Sequence, residues 1–164
     1  MSCFKLNNLP AELIYSKMSS PIGELTLLAS NKGLHALLWN QDRKIKGLKR
    51  NDSQRIIKMV KRQLQEYFAG KRRCFAVPVV LTGTPFQMKA WQQLRKIPYG
   101  KTISYSEQAK RMGDIKKARA VGMANSRNPI AIIIPCHRVI GKNGKLTGFA
   151  GGLDKKGYLL SLES

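Results

Sequence analysis

At 164 residues, with 43% hydrophobic and 24% charged side chains, the chain has the make-up of a folded globular protein rather than a disordered one. Thirty Lys and Arg against nine Asp and Glu give a formal charge of +21, a balance that suits a polyanionic partner, most often nucleic acid and less often an anionic membrane. No run approaches the roughly 18 apolar residues of a membrane span, and the N-terminus lacks the basic and apolar regions of a signal peptide. Three cysteines, Cys3, Cys74 and Cys136, with no CxxC pair argue against a disulfide framework and for a reducing compartment.

In chain order, LIYSKM (13–18), GELTLLAS (23–30) and GLHALLWN (33–40) read as three short strands of a meander, broken by SSPIG and NKG. Residues 41–50 are a basic link without clear pattern. Asp52 or Ser53 is then placed to cap a helix whose apolar residues Ile56, Ile57, Val60, Leu64, Tyr67 and Phe68 share one face, with Gly70 ending it. The stretch 71–85 holds two prolines and a basic triplet, so the domain boundary is expected near residue 82, giving domains 1–81 and 82–164. Thr84 and Pro85 are an N-cap and N1 proline for a helix carrying Phe86, Ala90, Trp91, Leu94 and Ile97. Ser104 caps a short helix to Met112, Gly113 ends it, and Asp114 caps the next, IKKARAVGMAN.

Two short helices joined by a glycine-containing turn form a helix-turn-helix pattern. Lys116, Lys117 and Arg119 charge the second helix, while Ala118, Ala120, Gly122 and Ala124 give it little side chain. Gly122 costs the helix about 1 kcal/mol relative to Ala, which points to a surface approaching the backbone closely. Tight internal packing is the competing explanation. Few long side chains are available to read major-groove edges, so sequence-tolerant contact with the minor groove fits better.

The run at 131–134 is expected to be a buried strand ended by Pro135, which sets Cys136 at a strand exit beside His137 and Arg138. A free thiol is only a few per cent ionised at neutral pH, so a nucleophilic Cys136 needs an adjacent base or positive field. A structural cysteine beside a solvated histidine is the plain alternative. Cys3 and Cys74 have no comparable setting.

IPCHRVI (134–140), together with ISYSEQA (103–109), ARAVGMANSRNP (118–129), GFAGG (148–152) and LLSLE (159–163), resembles the O6-alkylguanine-DNA alkyltransferases over residues 85–163. The N-terminal half resembles them more weakly, through SPIGELTLL and GLH. The resemblance implies a small antiparallel α/β domain of ribonuclease-H-like type, then a mainly α, winged-helix-like domain with the helix-turn-helix. It implies DNA repair by direct reversal: O6-alkylguanine is flipped from duplex DNA, and its alkyl group passes irreversibly to Cys136 in a single turnover. O4-alkylthymine is a second candidate substrate.

By the same resemblance His137 is the base, acting through a water, Glu163 orients it, and Asn128 braces the turn before the cysteine. Tyr105 hydrogen-bonds a guanine ring nitrogen, and Arg119 fills the gap left in the stack. Val139, Phe149, Ala150 and Gly151 fall in the base pocket, and Lys116, Lys117, Ala118, Gly122 and Arg127 fall on the DNA-binding surface. Ala150 stands where many relatives carry a serine that donates to O6, leaving that contact to backbone N–H groups. Some relatives bind zinc in the N-terminal domain. His35 matches one ligand, but Ser30 stands where a cysteine would be, so no metal is expected, and no cofactor. The partner is double-stranded DNA bound as a monomer, without a membrane, in the nucleoid-associated cytoplasm. The competing readings are a winged-helix lesion-binding module without transfer chemistry and, more remotely, a thiol hydrolase.

Overall fold

The computed structural model describes residues 12–39 and 42–164, so Cys3, Asn40 and Gln41 lie outside it. The described chain divides between Leu81 and Thr82 into two compact units.

In the first unit, β1 (Ile14–Met18), β2 (Leu25–Ser30) and β3 (Gly33–Trp39) form the expected antiparallel meander. All six residues of β2 are buried, because the sheet covers it on both edges and α1 (Arg55–Phe68) packs across it. Leu13, Leu28, Ala36 and Leu38 form a cluster in this core, with Tyr15, Ile45 and Leu48 packed against it. The helix buries Ile56, Ile57, Val60, Leu64 and Tyr67, as the 3.6-residue spacing requires, and each such side chain contributes roughly 1.5–3 kcal/mol.

Two expectations for this unit fail. The link 41–50 contains a 3-10 turn (Asp42–Ile45) and a fourth strand, β4 (Lys49–Arg50), which pairs parallel with β1. The sheet is therefore mixed, in the order β3-β2-β1-β4, rather than antiparallel. A two-residue exposed edge strand has no alternation to read. Neither Asp52 nor Ser53 caps α1; Gln54 does, its side chain accepting from the Ile57 N–H at 2.9 Å. Asp52 is occupied by the Ser16 hydroxyl and the Arg50 guanidinium, and Ser53 donates to Asn51.

The second unit is mainly helical. Thr84 and Gln87 form a reciprocal capping box that starts α2 (Pro85–Leu94) at the N1 proline, as expected. Ser104 caps α3 (Tyr105–Arg111). Asp114 caps a 3-10 turn (Ile115–Lys117), and only after it does α4 (Ala118–Ser126) begin, with no side-chain cap of its own. Lys116 and Lys117 therefore precede the helix they were expected to charge. Buried amides tie the motif together: Gln108 and Asn125 exchange hydrogen bonds of 2.8 and 3.1 Å, Gln108 also donates to the Ala90 carbonyl, and the Trp91 indole donates to Ala124.

The expected strand at 131–134 is absent. The segment is a buried turn, with Ile132 at φ 73°, a conformation that is a real strain for a β-branched residue. Asn128 supplies what a strand neighbour would have supplied: its carbonyl accepts from the Ile130 N–H at 3.0 Å and its amide donates to Ile134 O at 2.7 Å. The apolar run marked burial correctly; a local side chain decided its shape. The chain then forms a 3-10 turn (Cys136–Arg138), β6 (Val139–Ile140) parallel to β5 (Ile103–Ser104), a loop, and α5 (Leu153–Glu163).

Candidate active site

The 3-10 turn buries the side chains of Cys136, His137 and Arg138 together. Cys136 is 8% exposed, and His137 is fully buried. From the end of α5, Glu163 reaches His137, whose Nε2 donates to Oε1 at 2.8 Å. A carboxylate only accepts, so Nε2 carries the proton and Nδ1 carries a lone pair. That Nδ1 is buried and has no hydrogen-bond partner among the described residues. The arrangement is an imidazole held in one tautomer by a buried carboxylate, with its accepting nitrogen unused.

Glu163 is itself clamped. Arg138 donates to both of its oxygens at 2.9 Å and to Ile97 O at 2.7 Å, with the carboxylate side chain 1% exposed. Arg138 was expected to supply a field for the thiol; its guanidinium is instead engaged with Glu163. Burial pushes the His137 imidazole below its ordinary pKa, with Glu163 opposing and Arg138 and Lys156 assisting. Burial likewise pushes the Cys136 thiol up, against a hydrogen bond from Asn128 and the positive charge of Lys156. At rest, neutral thiol beside neutral imidazole is the favoured state.

Lys156, unremarkable in the sequence, is the second organiser. It is fully buried on α5, and its ammonium donates to Val139 O at 2.6 Å and Thr147 O at 2.7 Å, and lies 3.4 Å from the Tyr105 hydroxyl. Burial lowers its pKa to about 8. Tyr105 donates to Thr147 O at 2.8 Å, and its phenol pKa is raised, chiefly by burial. Three donors on one ammonium thus join β6, the loop after it and the phenol.

A concavity opens in front of Tyr105, lined by Ala118, Arg119, Gly122, Met123, Ser126, Thr147 and Gly148. Two glycines in this lining face Tyr105. A Cβ at Gly122 would stand 3.6 Å from the Tyr105 ring, and one at Gly148 would stand 3.5 Å from its hydroxyl. Of the expected site residues, Tyr105, Ala118, Arg119 and Gly122 are in this lining, and Asn128 sits beside the thiol. Phe149, Ala150 and Gly151 lie in the turn before α5 and outside the lining, as do Lys116, Lys117 and the exposed Arg127; Val139 is buried with its carbonyl taken by Lys156. Met123 and Ser126 were missed, although helical spacing from Arg119 pointed to both. Arg138 and Lys156 were missed as structural partners because burial of a cation is not written in its neighbours.

His35, the expected remnant of a zinc site, is buried against Ser30 at 2.7 Å. Among the described residues no group of three or more His, Cys, Asp or Glu is placed to hold a metal ion. No described helix is long and apolar enough to cross a membrane.

Residues 85–164 match the model of the 6-O-methylguanine DNA methyltransferase DNA-binding domain, and residues 13–81 match that family's ribonuclease-like domain. The chain belongs to the 6-O-methylguanine DNA methyltransferase family. It is 46% identical over 153 residues to the methylated-DNA–protein-cysteine methyltransferase of Methanosarcina acetivorans, covering 92% of this chain and 98% of that one. With the constitutive enzyme of that name from Bacillus subtilis it shares 41% identity over 156 residues, 91% of this chain and 94% of that one. The crystal structure of the Mycobacterium tuberculosis O6-methylguanine methyltransferase superposes with a TM-score of 0.85 at 44% identity, over 92% of each chain. That organism's OGT in complex with DNA superposes at 0.84, with 45% identity over 91% of each chain. The activity of the family member described here is therefore methylated-DNA–protein-cysteine methyl transfer, a DNA-repair reaction, and the reading as a binding module without transfer chemistry falls.

Proposed function

We propose that Cys136 is the alkyl acceptor for an O6-alkylguanine flipped out of duplex DNA. The observation that carries this reading is the buried Cys136-His137-Glu163 set, in which the only unused imidazole nitrogen is the one able to take a thiol proton. His137 Nδ1 receives that proton through a water. The sulfur attacks the alkyl carbon in line, the S–C bond forms as the C–O bond breaks, and the electron pair departs on the guanine O6. Tyr105 offsets the developing charge at the ring. Because the resting pKa order disfavours the thiolate-imidazolium pair, ionisation is coupled to the docked base rather than standing ready.

The recognition surface is α4, entering the minor groove as a monomer. The small residues Ala118 and Gly122 and the exposed Arg119 at the mouth of the concavity support this. Arg119 takes the place of the extruded base, Asn128 braces the turn that carries the cysteine, and Lys116, Lys117 and Arg127 contact phosphates. With Ala150 in place of a hydroxyl, backbone N–H groups of the loop serve the guanine O6. Transfer to sulfur leaves a thioether, which no step of this reaction cleaves, so each molecule acts once. The free thiols Cys74 and Cys136 suit a reducing cytoplasm.

The test is peptide mass analysis after incubation with a duplex carrying one O6-methylguanine. A single methyl on the Cys136 peptide, saturating at one per protein and absent in Cys136→Ala, is expected. Methylation elsewhere, or tight duplex binding with Cys136 unmodified, would overturn the assignment.

A further inference from the structure

The first unit carries a charged feature that the transfer chemistry does not use. On the outer face of α1, Arg55, Lys58 and Arg62 follow one another at helical spacing and, with Ser53 and Met59, line a single groove. All three cations are exposed, and Met59 is half-buried between them. Neither Arg55 nor Lys58 has an ion-pair partner among the described residues. Arg62 stands 3.9 Å from Glu66, whose carboxylate is held at 2.6 Å by Arg72. Asp52 and Asp42, which precede the helix in sequence, are engaged elsewhere. Asp52 is engaged by Ser16, Arg50 and Lys61, and Asp42 by Lys17.

This arrangement works against the helix. Arg55 is its first residue and no acid occupies the first turn, so a cation sits unfavourably at the positive end of the helix dipole. The like-charged spacings Arg55-Lys58 and Lys58-Arg62 destabilise it further. A merely solvated face would be served as well by glutamates in that first turn.

We infer that the groove lined by Arg55, Lys58 and Arg62 is a second contact for the phosphate backbone of duplex DNA, separate from the recognition helix. Its chemistry is cation to phosphate, with Met59 offering an apolar floor to the sugar edge. A membrane surface is a poorer match. An interfacial helix lays an apolar face into the lipid boundary, and Ile56, Ile57, Val60 and Leu64 are all committed to the core of this unit. The inference rests on the reading that the chain works on duplex DNA, but it makes no use of Cys136.

The experiment compares full-length wild type, the groove variant Arg55→Gln/Lys58→Gln/Arg62→Gln and a control, Arg43→Gln/Lys46→Gln/Lys49→Gln, which removes the same charge from the same unit. Affinity for an undamaged duplex of fixed length is measured against salt concentration. Each phosphate contact contributes about 0.9 to the slope of log K against log salt, so the groove variant is expected to lose about 2–3 units of slope. The control is expected to lose less than about one unit. Methyl transfer from free O6-methylguanine base to Cys136 is expected to stay at the wild-type rate in both variants, which also shows that they fold. An unchanged slope in the groove variant, or an equal loss in the control, would overturn the inference. Wild type that binds duplex with the expected slopes but never methylates Cys136 would instead sink the alkyl-acceptor reading and leave the groove standing.

Discussion

Arg138→Met isolates the buried carboxylate on which the site depends. Arg138 donates to both Glu163 oxygens at 2.9 Å, and the Glu163 side chain is 1% exposed, so the variant leaves an ionised group in the interior without its balancing cation, still held by His137 and, at 3.4 Å, by the Gly100 N–H. Removing one partner of a buried pair costs about 3–5 kcal/mol. For a chain of this length each kcal/mol lowers the Tm by roughly 2–4 °C, so a fall of roughly 6–20 °C is expected in thermal unfolding. The guanidinium also holds the His137 pKa down, so its loss raises that pKa. A protonated imidazole has no lone pair at Nδ1, and the acid limb of the transfer rate should therefore move to higher pH. Single-turnover methyl transfer at a series of pH values reads this directly. The double variant Arg138→Met/Glu163→Gln should recover much of the lost stability, because the uncompensated carboxylate is gone, while transfer stays slow for want of an orienting carboxylate. A Tm within about 2 °C of wild type, less than one kcal/mol on the same scale, together with an unmoved pH profile would refute the view that Arg138 neutralises Glu163.

Lys156, with a pKa lowered to about 8, should lose its proton as pH rises through that value, and its electrostatic support for the Cys136 thiolate with it. The transfer rate should stop rising and then fall above pH about 8, and Lys156→Met should be slower and lack that break; a wild-type rate that climbs smoothly through the thiol range would argue against the role. Gly100 has φ 74°, and a Cβ there would stand 2.8 Å from the Glu163 carbonyl oxygen, so Gly100→Ala should lower both the Tm and the transfer rate, whereas Gly47→Ala, strained at φ 83° but meeting nothing, should lower stability alone.

What could be read from the sequence was local and periodic. Thr84-Pro85 and Ser104 announced their helices because capping needs only the next three residues. Ile56, Ile57, Val60, Leu64 and Tyr67 announced the buried face of α1 because a helix repeats every 3.6 residues. The order of PCHRV and the distant LLSLE carried the alkyltransferase resemblance, and with it the pairing of His137 and Glu163, which no local rule links. The tertiary structure decided the matters that depend on what arrives from elsewhere in the chain. The strand-like run 131–134 became a turn because Asn128 satisfies its ends, and β4 exists only because β1 lies alongside to pair with it. Arg138 and Lys156 look like two more cations in a strongly basic chain. Folding buries both, and a buried cation must find acceptors: Arg138 finds Glu163 and Ile97, and Lys156 finds the carbonyls of Val139 and Thr147. Composition fixes how many charges a chain has, but only the fold determines which of them are withdrawn from water and made to organise a site.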